Sequence, residues 1–564
     1  MLLAVCFVAF WVCLGRIGLV DPDEPFYTLT AIEMLERHDW ITPHIFGAPQ
    51  FEKPILYFWL TMGSFKLFGV SELAARAVPA LFGTLLVLQV QQFGRRLFRP
   101  RSGFLAAIVF TTTLASIAMC RTVLTDVVFA YFVVGALLSY WCASEEPARR
   151  GRWVLLHFAA SGLAVLTKGP VGSLVVWMAI GAHRLVTRRR TPLHGAPLGW
   201  GLALYAAIAV PWFVVMLSKF GWEYFQAFFV HENLERLIRA EHPSSNHWYF
   251  YLMILSLGSL PWMPLLAVAL LRLRSSARTS GHAFLFCWLL TSLLFFTAAQ
   301  SKLASYAYFL FVPLALWMGD TLDRALQEGV WRPRERWVAL TVALLQIGVL
   351  VMGLLPRDEV AGGPLAYGLI TMSALSALGV ALSLRGPSRA GVAATAAGVV
   401  ALTLFVVGPG AASLGSLISV RAEAQRLVAS EPTGLPVVTE KLLVRGAAWY
   451  TRRPVAVLAS DPQPFWTSQN VEVLVNRRDV QRYLARDGAA MCILRPQTKE
   501  WKLASQGGTL QVVDPRRVEP EEGSLAGEDE ALHDQDRYFG HKVVARLAAS
   551  GRKSKPGAGS ASDD

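Results

Sequence analysis

The sequence predicts an α-helical protein that crosses a membrane many times and ends in a small mixed α/β domain. Three observations carry that expectation. Hydrophobic residues fill 54% of the 564 positions and charged ones only 16%, with 18 Trp and 31 Phe, and the mean hydropathy is +0.41; a water-facing globular surface cannot hide so much apolar material. The apolar residues gather into runs of about 20, the length a helix needs to cross the hydrocarbon core with its backbone satisfied internally. Beyond about residue 420 the runs shorten and alternate with polar, helix-like segments, the pattern of a soluble mixed fold. The formal charge of +13 does not indicate nucleic acid, because Lys and Arg sit in short clusters between the apolar runs. Cys6, Cys13, Cys120, Cys142, Cys287 and Cys492 show no CxxC or zinc-type spacing, and neither a disulfide nor a structural metal is expected from them.

Taken in order, about thirteen stretches meet the length requirement, at roughly 2–20, 74–94, 103–119, 123–142, 153–167, 170–187, 198–217, 249–271, 282–299, 303–319, 337–355, 364–384 and 391–412. After the first comes a long loop, roughly 21–73, with amphipathic stretches near 26–37 and 55–68; Tyr57, Phe58, Trp59, Phe65 and Phe68 suit a helix lying in the interface. The second long loop runs roughly from 218 to 248. Lys and Arg collect in the even-numbered gaps, as at Arg95, Arg96, Arg99 and Arg101, or Arg188, Arg189 and Arg190, at twice their number in the odd-numbered gaps. By the positive-inside rule the even gaps face the cytoplasm, the N-terminus starts inside, and everything after the last span lies outside. Met1 enters the first run with no basic residue before it, which leaves room for a start upstream; no small-residue cleavage pattern follows, so a cleaved signal peptide is not expected. The expected organisation is a membrane domain over roughly 1–412, an outside α/β domain over roughly 420–545, and a Gly/Ser-rich disordered tail over roughly 549–564. No internal repeat of the transporter kind is visible.

The odd-numbered gaps bring acids, bases and tyrosines to one membrane face. The first carries DPDEPFY, with Asp21, Asp23 and Glu24, and later FEKP, with Glu52 and Lys53; the second carries CRTVLTD, with Arg121 and Asp126. Lys168 lies in TKGP, Glu232 and Asn233 in HENLER, and Lys302 and Tyr306 in SKLASY. Singly, each has a plain structural reading. The acids suit a solvated loop or a helix N-cap, the cations suit helix ends where they snorkel, and Asp126 suits an ion pair with Arg121. His231, His242 and His247 lack a two-ligand helical spacing. Together, however, acids beside cations at an interface suit a reaction in which Lys or Arg holds a lipid-anchored phosphate and a carboxylate accepts a proton from an attacking hydroxyl.

The string from DPDEPFY to FEKPILYFWL, with GLAVLTKGPVG, PWFVVM, ENLER and SKLASYAYFLFVPLAL in that order, resembles bacterial glycosyltransferase family 39. That family has the multi-spanning GT-C fold and includes lipid A aminoarabinose transferases and protein O-mannosyltransferases. The resemblance implies a polyprenyl-phosphate-linked sugar as donor. It implies Asp23 and Glu24 as the catalytic acidic pair, Asp23 being the general base or the carboxylate that orients the acceptor. It places Glu52 and Lys53 in the same pocket and gives Lys53, Lys168, Lys302 and Tyr306 to the donor phosphate, with Arg121 and Asp126 matching a motif of less defined role. The chain departs from the aminoarabinose transferases in three places: Phe51 stands for the Tyr before EKP, Asn233 for the His of EHI, and SKLASY for SKLPTY. No metal site is assigned, and the loss of that His weakens the case for a divalent cation.

The implied activity is a periplasm-facing glycosyltransferase of the bacterial inner membrane. Its acceptor would be lipid A, another glycolipid or a protein hydroxyl, its surroundings membrane lipid, and nucleic acid plays no part. The rivals are a protein O-mannosyltransferase and, from another class, a lipid-linked sugar flippase, for which paired charges at mid-bilayer and two related halves are expected.

Overall fold

The computed structural model describes residues 1–188, 197–240, 243–272, 279–354, 364–463, 465, 469–496, 498–513 and 542–549. They form two compact units, one of Met1–Ile17 with Tyr27–Leu414 and one of Gly18–Phe26 with the chain from Gly415 onward. The expected tail falls almost wholly outside the described residues, as do His242 and residues 514–541 of the C-terminal region.

In the first unit a helix stands at every one of the apolar stretches, but not always as a straight span. Among the described residues six helices are long and apolar enough to cross a membrane: Glu72–Leu97, Asp126–Glu145, Leu198–Ile238, Ser280–Ala298, Ala366–Ser383 and Arg389–Val407. Two bent pairs raise the number to eight. Pro100–Thr111 turns by 66° into Leu114–Cys120, where the Thr113 hydroxyl accepts from Ser116 N–H and caps the second helix. Phe250–Gly258 turns by 117° into Met263–Leu271; Pro261 lies between them and cannot supply the N–H that a continuing helix needs. The first stretch is helical only to Trp11. The carbonyls its end leaves open are taken by arginines: Arg121 donates to Ala9 O (3.2 Å) and Val12 O (2.8 Å), and Arg76 donates to Leu14 O (3.1 Å) and Ile17 O (2.6 Å). Leu198–Tyr224 runs past the expected span end, kinks at Gly221, and continues through a π-helical segment, Phe225–Glu235, into Arg236–Ile238. Much of the loop expected at 218–248 is therefore helix, because its aromatic side chains, such as Tyr224 and Phe228 (rings stacked at 5.7 Å), go on packing along the helix. Glu72–Leu97 meets Pro100–Thr111 at two glycines, where a Cβ on Gly94 would lie 2.6 Å from Gly103 Cα; bare backbones permit that approach.

Strands β1 (His44–Ile45) and β2 (Ala48–Pro49) form a short hairpin in the same unit. The second unit holds β3 (Val437–Glu440), β4 (Val455–Leu458), β5 (Glu472–Leu474), β6 (Ala489–Leu494), β7 (Thr509–Val512) and β8 (Val543–Ala548), in the order β5-β4-β3-β6-β8-β7. From β5 to β6 the neighbours are parallel, while β8 runs antiparallel to both β6 and β7. β6 is buried at every position, as a central strand covered on both faces must be. Val438, Cys492 and Leu474 pack on one face with Val480 and Leu484, and Val437, Met491 and Ile493 on the other with Leu427 and Ala447.

Candidate active site

Five elements of the first unit deliver charged side chains to one network. Lys53 lies in the loop before helix Leu56–Phe68. Asp126 opens Asp126–Glu145, and Lys168 closes Arg150–Lys168 just before Gly169, whose φ of +92° suits a residue without Cβ. Glu232 belongs to Phe225–Glu235 and Arg236 starts the turn after it. Tyr306 sits in the 3₁₀ segment Ala304–Leu310.

The Glu232 carboxylate bridges two cations, with Lys53 Nζ 2.8 Å from one oxygen and an Arg236 terminal nitrogen 2.8 Å from the other. Arg236 donates its other terminal nitrogen to the Tyr306 hydroxyl at 3.2 Å. Lys168 Nζ lies 4.4 Å from the centre of the Tyr306 ring and pairs with Asp126. The side chains are mostly out of solvent, Glu232 at 5% exposure and Asp126 at 7%, with Lys53 and Arg236 at 17% and Lys168 at 14%. Three cations thus stand together, held by Glu232 and Asp126, with Glu52 adding its negative field at Lys53. Clustered Lys and Arg at low dielectric suit an anion such as a phosphate ester. Burial opposes the charged form of Lys53, and Glu232, Tyr27 and Glu52 together outweigh it, holding the ammonium above the ordinary lysine range.

The remaining candidates are placed differently. Lys302 is buried and donates to Asn246 Oδ1 (2.5 Å) and to Ala299 O (2.6 Å); burial lowers its pKa. Its partner Asn246 also donates to Gln300 Oε1 (2.5 Å), so this lysine is tied into the turn that presents Tyr306. Arg121 closes the first helix, as described, and Asp126 pairs with Lys168 and not with Arg121. Asn233 donates to Phe228 O at 2.7 Å, and its Oδ1 lies 3.5 Å from where a Cβ on Gly169 would stand, so HENLER packs on the TKGP turn. Glu52 is half-buried next to Lys53 and adds to the field that keeps it charged. Asp23 and Glu24 belong to the second unit, in the first turn of Asp23–Glu36. Glu24 is buried and accepts from Val20 N–H at 2.6 Å, whereas Asp23 is exposed.

Arg236 was not among the residues the motifs select, although it follows Glu232 by four positions, the spacing that puts an acid and a base on one helix face. Asn246 carries no such signal, since its partnership with Lys302 spans 56 positions. His231 is drawn to Glu235 (2.9 Å), again at four positions. Among the described residues no three His, Cys, Asp or Glu side chains are placed to hold a metal ion.

Residues 16–229 match the family described as dolichyl-phosphate-mannose-protein mannosyltransferase. The chain is 32% identical over 361 residues to an undecaprenyl phosphate-alpha-4-amino-4-deoxy-L-arabinose arabinosyl transferase of Pseudomonas aeruginosa, covering 63% of each chain. It is 32% identical over 312 residues to that of Erwinia tasmaniensis, covering 53% of this chain and 54% of the relative. The chain thus spans less than two thirds of the length of these relatives. Among solved structures, ArnT from Cupriavidus metallidurans bound to undecaprenyl phosphate superimposes with a TM-score of 0.76 at 22% identity, over 98% of both chains. The fold is therefore the GT-C fold of that protein, and the resemblance to glycosyltransferase family 39 is present in the family match, the relatives and the fold.

Proposed function

We propose that this chain is an integral membrane glycosyltransferase that moves one sugar from a polyprenyl-phosphate donor to an envelope acceptor, lipid A being the acceptor the family resemblance implies. The observation that carries the reading is the mostly buried network Lys53–Glu232–Arg236–Tyr306–Lys168–Asp126, which gathers three cations from separate elements. In the reaction the bond between the anomeric carbon and the donor phosphate oxygen breaks, an acceptor oxygen bonds to that carbon from the opposite face, and polyprenyl phosphate leaves with the electron pair. Negative charge grows on the leaving phosphate, and Lys53, Arg236 and Lys168 are the groups that would stabilise it more in the transition state than in the ground state. If the acceptor is a hydroxyl, the exposed Asp23 carboxylate takes its proton; if it is a phosphate, Asp23 orients it.

The same reading has about thirteen crossings, a bacterial inner membrane, a site facing the periplasm, and an outside C-terminal domain. It draws support from the concentration of Lys and Arg in the even-numbered gaps and from the similarity to named transferases that use an undecaprenyl-phosphate sugar. A second reading, transfer to protein hydroxyls, is favoured by the family match over 16–229.

The test is transfer of labelled sugar from polyprenyl-phosphate sugars by the purified chain in vesicles containing lipid A, with a Ser/Thr-rich peptide in a parallel arm. Label entering lipid A with wild type and not with Asp23→Asn is the expected result. Label entering the peptide alone moves the acceptor to protein, and donor crossing the bilayer with no transfer means a flippase.

A further inference from the structure

Residues 18–26, which carry the acidic DPDE motif, pack as one compact unit with the chain after Gly415, across a sequence separation of 399 positions between Asp21 and Val420. The contacts run along the whole segment. Leu19 N–H donates to the Tyr450 hydroxyl at 2.7 Å. Asp21 N–H donates to Ile418 O at 3.0 Å, and Val420 N–H donates back to Asp21 Oδ2 at 2.9 Å. Two glycines let the chains come this close: a Cβ on Gly446 would lie 2.1 Å from Asp21 Oδ1, and a Cβ on Gly18 would lie 2.4 Å from Ser419 Oγ. At the far end the Arg445 guanidinium stands 4.8 Å over the Phe26 ring. The turn that receives Asp21 is itself fastened, because Lys542 Nζ donates to Ser416 O (3.0 Å), Leu417 O (3.2 Å) and Ser419 O (3.3 Å).

The acids of the motif are thus divided. Glu24 turns back to Val20 N–H and Asp21 is joined to the 418–420 turn, while Asp23 between them is exposed. We propose that the C-terminal α/β unit is a clamp that sets the position of the Asp23 carboxylate, with Asp21 and Tyr450 as positioning residues. The proposal rests on the reading of Asp23 as the acid of the transferase site. A loop that merely touched a neighbouring domain would not need a reciprocal pair of hydrogen bonds through the Asp21 N–H and carboxylate, two positions without Cβ and a lysine holding the receiving turn.

The experiment uses the full chain in lipid nanodiscs with Asp21→Ala, Asp21→Asn and Tyr450→Phe. Hydrogen exchange of residues 18–26, kcat and donor KM for sugar transfer, and undecaprenyl phosphate binding are measured. Each lost hydrogen bond is expected to speed exchange in the segment by roughly tenfold, with kcat falling by a similar factor in Asp21→Ala while phosphate binding moves less than about twofold. Asp21→Asn keeps an acceptor for Val420 N–H and is expected to recover most of both. Tyr450→Phe, which removes one oxygen and no volume, reports on the clamp even if Asp21→Ala fails to fold. Unchanged exchange in the segment, or faster exchange with kcat intact, overturns the clamp. Activity that survives Asp23→Asn overturns the reading of Asp23 as the acid of the site instead, and the exchange result still decides whether the clamp exists.

Discussion

Glu232 is the residue through which the candidate site is held together, because one carboxylate answers two cations from different elements. Replacing Lys53 or Arg236 by Ala removes a charge-assisted contact and leaves Glu232 with a single partner. Either change is expected to weaken undecaprenyl phosphate binding by roughly 10- to 100-fold, the range for loss of one charged hydrogen bond; an unchanged affinity in a lipid-binding titration removes that residue from the phosphate site. Tyr306→Phe keeps the ring beneath Lys168 and loses only the hydroxyl that Arg236 donates to, so a loss of roughly fivefold is expected. Lys53, Lys168 and Tyr306 were legible as site candidates because their motifs stand at the ends of apolar runs, where charge is costly. What each one touches was not legible. Lys53 meets Glu232 across 179 positions, and nothing local in FEKP or HENLER announces the pairing. Arg121 shows the opposite case: a cation at a helix end reads as a site residue, yet in the fold it satisfies the carbonyls of the first helix.

At the scale of elements, hydropathy located a helix at each apolar stretch, and missed the helical run through Phe225–Glu235 and Arg236–Ile238 and how several of the others bend. The run at 103–119 is continuous in apolar character, but Thr112 and Thr113 put hydroxyls where the second helix begins, and the capping bond prevails over the run. Pro261 was visible in the sequence as a breaker; the 117° turn around it was not. The arginine-rich gaps likewise read only as topology, whereas Arg272 is buried and joins two elements. It donates Nε to Glu335 Oε1 at 2.7 Å and a terminal nitrogen to Glu335 Oε2 at 2.8 Å and Glu328 Oε2 at 3.0 Å. Arg272→Leu leaves the buried Glu335 without its main cation and is expected to cost about 3–5 kcal/mol, read as a lower unfolding midpoint in detergent. Adding Glu335→Leu removes the stranded charge and is expected to restore much of that loss. If the double variant unfolds no later than the single one, the pair is not what secures this junction.

For the whole molecule, the division into two units follows the contacts and not the order of the chain. Composition located a mixed α/β region near the C-terminus, and it gave no sign that residues 18–26 belong to it, since a strand edge or turn that accepts a distant segment looks like any other. The clamp also carries a pH dependence. Burial pushes the Asp21 carboxyl well above the usual carboxylate range, opposed by Val420 N–H and Lys542 and assisted by Glu24 and Glu423. A folded value above the unfolded one means that the proton favours the clamped state. That stabilisation is complete below about pH 4, the unfolded value, and is lost as pH rises through the folded value. Exchange of residues 18–26, corrected for intrinsic rates, is therefore expected to quicken with rising pH in wild type and to stay flat in Asp21→Asn; equal slopes in the two would rule out Asp21 as the titrating group. The separation of 399 positions between Asp21 and Val420 also has a meaning in time. At about 5–20 residues per second of synthesis, the acidic motif leaves the ribosome roughly 20–80 seconds before its partner exists. A chain ended before residue 418 lacks both partners of Asp21, so its residues 18–26 are expected to exchange faster than in the full chain.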